Sequence, residues 1–90
     1  MEGWTMKWSP STLQRRALAD AYALRGRKGL HKTVAGWSDP NSVIDFYPAS
    51  TIHSLVDRGL LQFWVSGTVV HVTDHGAELH EALLEQERRL

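Results

Sequence analysis

Five histidines (His31, His53, His71, His75 and His80) are scattered through a 90-residue chain rich in serine and threonine, so metal binding and nucleophilic catalysis are the first chemistries to weigh. Zinc needs three or four converging ligands, yet the chain has no cysteine, and His75 and His80 stand five apart, on different faces of any helix. No metal site is expected. A nucleophilic serine would need a base and an orienting acid within reach, and no Ser, His and Asp spacing marks such a set. The run Arg25-Gly26-Arg27-Lys28-Gly29 lacks the strand-loop-helix setting of a phosphate loop. The sequence therefore points away from an enzyme and from any cofactor.

Binding chemistry is better represented. Ten basic and ten acidic side chains cancel, but residues 1–45 hold seven bases against four acids, an excess of +3, and residues 46–90 carry −3. Arg16, Arg25, Arg27, Lys28 and Lys32 crowd the first half, joined by Arg15, with only Asp20 among them. Such a cluster is either a solvated face or a positive field for a polyanion. Four tryptophans are more than a small core readily holds with each indole N–H satisfied. Trp4, Trp8 and Trp64 are the candidates for contact with a partner.

The elements that would position these groups follow from periodicity. Leu13, Ala17, Ala21 and Leu24 recur at helical spacing, which predicts a helix from about Pro10 to Leu24, with Ser9 as cap and Trp8 stapled on Leu13. Arg25-Gly26 ends it. Alternation from Leu30 to Trp37 predicts one strand, and Ser38-Asp39-Pro40-Asn41 is turn chemistry. Residues 42–47 read as a short helix or a returning strand. Pro48 to Gly59 forms a second helix with Ile52, Leu55 and Val56 inward.

Leu60 to Thr73 is a hairpin about a two-residue Ser66-Gly67 turn, pairing Leu61 with Val72, Phe63 with Val70 and Val65 with Thr68. Trp64, Gln62, Val69 and His71 then fall on the outer face. Thr73 caps a last helix from Asp74 to about Arg89, along which Leu79, Leu83 and Leu90 continue a stripe that suits a homodimer. The expected core is Leu13, Leu18, Ile52, Leu55, Val56, Leu61, Phe63, Val70, Val72, Leu79 and Leu83.

Thr51-Ile52-His53-Ser54-Leu55-Val56-Asp57-Arg58-Gly59-Leu60-Leu61, a hairpin, and then Val72-Thr73-Asp74-His75-Gly76-Ala77-Glu78-Leu79 resemble the pattern of bacterial winged-helix regulators of the multiple-antibiotic-resistance type. Small bacterial and phage-borne proteins with a Gly-Trp segment ahead of such a helix look similar too. The likeness covers about half of the chain. It implies an α+β fold, a single winged-helix-like domain over residues 1–90: an N-terminal arm (residues 1–8), then helix, strand, a short helix or strand, helix, β-hairpin wing and helix.

In DNA-binding members of that family the helix matching Pro48–Arg58 enters the major groove. Carried over, the resemblance makes Ser50, Thr51, His53 and Ser54 the groove contacts. Arg15, Arg16, Arg25, Arg27, Lys28, Lys32 and Arg58 are then the candidates for phosphate contact on double-stranded DNA. Gln62 to Thr73 holds no Lys or Arg, so the wing is not cationic. Two readings stand: a DNA-binding regulator or a phage or mobile-element accessory protein, and a winged-helix module that docks a protein partner. No apolar run is long enough for a membrane span and Met1–Trp8 is unlike a signal peptide, so a cytoplasmic location is expected.

Overall fold

The computed structural model describes residues 9–26, 29–40 and 46–89. Within them run helix α1 (Thr12–Ala23), strands β1 (Leu30–Thr33) and β2 (Gly36–Ser38), helix α2 (Ala49–Asp57), strands β3 (Leu61–Trp64) and β4 (Val69–Val72), and helix α3 (Asp74–Arg88). The strands form an antiparallel sheet in the order β2-β1-β4-β3. The fold is α+β, with the expected succession of helix, strand, helix, hairpin and helix.

α1 starts later than its periodicity suggests. Ser11, not Ser9, is the cap: its hydroxyl accepts the Gln14 N–H at 3.1 Å while the Gln14 side chain takes the Ser11 N–H at 2.8 Å. Two orphan donors are thereby satisfied at once. The proposed staple of Trp8 on Leu13 lies outside the described residues. At the other end Gly26 turns the chain with φ +76°, as the Arg25-Gly26 pair implies.

The alternation of Leu30 to Trp37 is a hairpin rather than one strand. β1 pairs with β2 (His31 with Ser38, Lys32 with Trp37, Thr33 with Gly36), and Val34 and Ala35 form the tip. The turn carries no Asn-Gly signature. Instead the Thr33 hydroxyl donates to Gly36 O at 2.6 Å and accepts the Ala35 N–H at 3.1 Å. Gly36 itself sits at φ +130°, where an added Cβ would lie 2.7 Å from Tyr47 O, so that position tolerates glycine alone. Of the ambiguous residues 42–47, only Phe46 and Tyr47 are described. Tyr47 bridges Trp37, each N–H donating to the other's carbonyl at 2.7 and 2.9 Å.

The second hairpin keeps the expected register, Leu61 with Val72 and Phe63 with Val70, but its last pair is Trp64 with Val69. The loop is four residues, 65–68, not the two of Ser66-Gly67. Val65 leaves the strand with φ +53° and Ser66 follows at +56°, so Val65 and Thr68 are not a strand pair. Trp64 lies on the outer face and is exposed, while Val69 on that same face is buried.

The helices pack on the opposite face, which presents Leu30, Trp37, Leu61 and Val70. Every residue of the expected core belongs to it or packs against it, and that expected core lacked Ala17, Ala21, Leu24, Leu30, Trp37, Tyr47 and Leu60. Trp37 is its largest fully buried side chain. Gly76 of α3 lets the helix lie on the sheet, since a Cβ there would fall 2.1 Å from Leu60 O. Thr73 caps α3 by accepting the Gly76 N–H at 3.0 Å.

Candidate functional site

Two surfaces compete for the role of contact site, and α1 divides them. One is the seam between α1 and α3. Helical geometry puts Gln14 on the flank of α1 toward α2, where its amide donates to the Ser54 hydroxyl at 2.7 Å, and turns Arg15 toward α3. Arg15 is ion-paired with Glu87 there. Arg16 lines the same seam, together with Thr12, Ala19, His80, Leu83 and Leu84. One turn from the helix end, Arg25 lies 3.8 Å above the Tyr22 ring and donates to Tyr22 O at 3.2 Å. The Tyr22 hydroxyl donates to Glu81 at 2.5 Å, and the His80 ring lies 4.4 Å from that of Tyr22.

This arrangement perturbs two groups. The hydrogen bond to Glu81 raises the Tyr22 hydroxyl above its ordinary range. Burial at the seam holds the His80 imidazole below the usual histidine range, against the opposing pull of Glu81 and Glu87. The first shift reports the contact of α1 with an acidic residue of α3, and the second reports burial between the two helices. Part of the opposite charge of the two halves of the sequence thus meets within the fold, at Arg15 with Glu87 and through Tyr22 between Arg25 and Glu81.

The other surface is the edge made by α2 and the hairpin tips. β1 and β4 are antiparallel with His31 opposite Val69, and Lys32 N–H donates to Thr68 O at 2.9 Å, so the turns at Val34-Ala35 and at residues 65–68 lie at the same end of the sheet. Val34 is fully exposed and Val65 is 69% exposed. His53 of α2 stands edge-on to Phe63 at 5.3 Å, and Phe63 in turn lies 5.9 Å from Trp37, which ties α2 to the sheet. Ser50 and His53 are exposed on α2, and Lys32 is the exposed cation beside the tips.

The residues implicated by the sequence divide accordingly. Ser50 and His53 face solvent, but Thr51 is buried under α2 and cannot reach a base edge. Ser54 is half-buried, accepting from Gln14 and donating to Thr51 O at 2.9 Å, which makes it a helix-packing residue. Arg15, Arg16 and Arg25 belong to the seam between α1 and α3. Lys32 and Arg58 lie outside the seam, both exposed. Arg27, Lys28, Trp4 and Trp8 fall outside the described residues. Trp64 is 52% exposed, edge-on to His71 at 5.3 Å on the outer sheet face.

The apolar tip residues escaped the sequence reading, because Val34 sat in an assumed strand and Val65 in an assumed strand pair. Among the described residues no three His, Asp or Glu side chains gather where a metal ion could be held, and no helix is long and apolar enough to cross a membrane. No protein-family model matches the chain, no curated protein is similar to it, and no solved structure matches its fold.

Proposed function

We propose that the chain is a winged-helix-type docking module, with the edge of α2 and the two hairpin tips as its contact surface and a protein as its partner. The observation that carries this reading is the placement of charge. The cations of α1 face α3, whereas the open edge presents Val34, Val65, Phe46 and His53, with Lys32 beside the tips and Arg58 at the C-cap of α2 as its exposed bases among the described residues. A surface that binds duplex DNA draws most of its affinity from phosphate contacts, and a nearly uncharged edge suits a protein surface better.

Double-stranded DNA is the second reading, favoured by the exposure of Ser50 and His53 on a helix that leads into a wing-like hairpin. Their side chains can read base edges, with Lys32 and Arg58 left for the backbone. A homodimer through α3 has less to rest on. Leu79 is buried and Leu83 packs on the core, Leu90 lies outside the described residues, and the exposed Leu84 stands beside that stripe rather than on it.

The test is site-specific photo-cross-linking in the protein's own cells, with the reactive side chain at Val34, His53 or Val65 and, as controls, at Arg16 or Leu84. One protein adduct common to the three edge positions and missing from the controls is the expected result. Adducts at the control positions alone, or nucleic acid captured at His53, would overturn the reading.

A further inference from the structure

The two edges of the sheet are finished differently. β2 is closed, because Trp37 exchanges both backbone hydrogen bonds with Tyr47, and Asp39 and Pro40 follow directly. β3 is open. Thr73 N–H donates to Leu60 O at 3.1 Å, and the pairs Gln62 with His71 and Trp64 with Val69 continue the same alternation. In an antiparallel ladder the residues between such pairs turn their N–H and C=O groups the other way. Leu61 and Phe63 therefore point theirs outward, and no described residue bonds to them there.

This edge also lacks the usual protection. From Leu60 to Thr73 there is no Asp, Glu, Lys, Arg or Pro, the residues that keep natural edge strands from pairing. β3 is not twisted away by a bulge, since its register with β4 runs unbroken from Leu61 to Trp64.

We infer that β3 pairs antiparallel with β3 of a second copy of this chain, joining two sheets across a twofold axis at Gln62. With Gln62 opposite its counterpart, Leu61 meets Phe63 of the second copy and Phe63 meets Leu61, each pair exchanging its N–H and C=O groups. The absence of charge selects this occupant: self-pairing sets like residues against like, which repels for a charged strand and costs nothing for this one. Half-buried Phe63 then extends the core across the axis, while exposed Trp64 and Gln62 line the shared outer face. The pairing is independent of what the α2 edge binds, and it presents that edge twice.

Gln62 is exposed, so charged substitutions there leave the fold intact and act on the pairing alone. Sedimentation equilibrium at about 100 µM should give a species near twice the 10.2 kDa chain mass. Gln62→Lys and Gln62→Glu should each sediment as monomers, with unchanged circular dichroism, and an equal mixture of the two should restore the dimer. A wild-type chain that stays monomeric at that concentration overturns the inference. So does a dimer indifferent to both Gln62 substitutions, and a dimer lost on Leu84→Glu instead would place the interface on α3.

Discussion

The seam between α1 and α3 and the edge formed by α2 and the hairpin tips are built from opposite materials. The seam is rich in charge and closed on itself, since Arg15 meets Glu87 and Tyr22 joins Arg25 to Glu81. The edge is poor in charge and open, with Val34 and Val65 turned to solvent. Within the cationic half of this neutral chain, Arg15 is thus the internal partner of an acidic helix, and on the proposed reading the surface offered to another molecule is the one with little charge.

The largest effects should come from the packing that both regions share. Leu55→Ala, at a fully buried site on α2, should cost ~2–5 kcal/mol in a denaturant titration. Gly76→Ala should cost about 3 kcal/mol, because its methyl would meet the Leu60 carbonyl and the Val72 side chain where α3 crosses the sheet. A loss below half a kcal/mol for either, a twentieth or so of a typical folding free energy, would refute the packing described for that helix.

Next in size is a gain. Val65 is a β-branched residue at φ +53°, a conformation that costs such side chains about 1 kcal/mol or more. Val65→Gly should raise stability by several tenths to about 1 kcal/mol while weakening cross-linking at the neighbouring tip, the pattern of strain kept at a functional position. Loss of stability together with unchanged partner capture would remove the tip from the contact surface.

Smaller still is the seam's ion pair. Arg15 and Glu87 are both partly exposed, so Arg15→Ala should cost less than about 1 kcal/mol, with the difference shrinking in salt. A larger, salt-independent loss would mean that Arg15 acts through packing rather than charge.

The least effect concerns pH. His80 holds its proton less tightly in the folded chain than in the unfolded one, whose value is about 6.5. The unfolded state then binds more protons as pH falls through that value, so stability contributed at neutral pH declines below it and levels off under the folded value. Thermal melts of His80→Gln should show a shallower loss between neutral and mildly acidic pH. Identical slopes in the two proteins would show that other groups carry the dependence.

Much of this was legible in the chain. The stripes of Leu13 to Leu24, Ile52 to Val56 and Leu79 to Leu83 locate the helices, and the register of Leu61 with Val72 follows from alternation. Local side-chain chemistry was harder to read. The first hairpin turns on the Thr33 hydroxyl and a glycine directly after an ordinary Val-Ala pair, and nothing in residue type separates that from a continuing strand. Thr51 and Ser54 look like surface polar residues, yet burial takes one and the Gln14 amide, forty residues away in sequence, takes the other. Charge placement was hidden for the same reason, because which side of α1 carries Arg15 depends on where α3 docks. Trp37 and Tyr47 entered the core through a single bridge that alternation does not signal.

The most direct measurement is a fluorescence-anisotropy titration of the chain against a random-sequence duplex, beginning at about 20 mM salt, where phosphate contacts are strongest. With α1's cations facing α3, binding should stay unsaturated at about 50 µM protein, short of ordinary non-specific affinity. Saturable binding whose log K falls against log salt with a slope of about −4, flattened when Arg15 and Arg16 are neutralised, would contradict the account and return those residues to a DNA-binding surface.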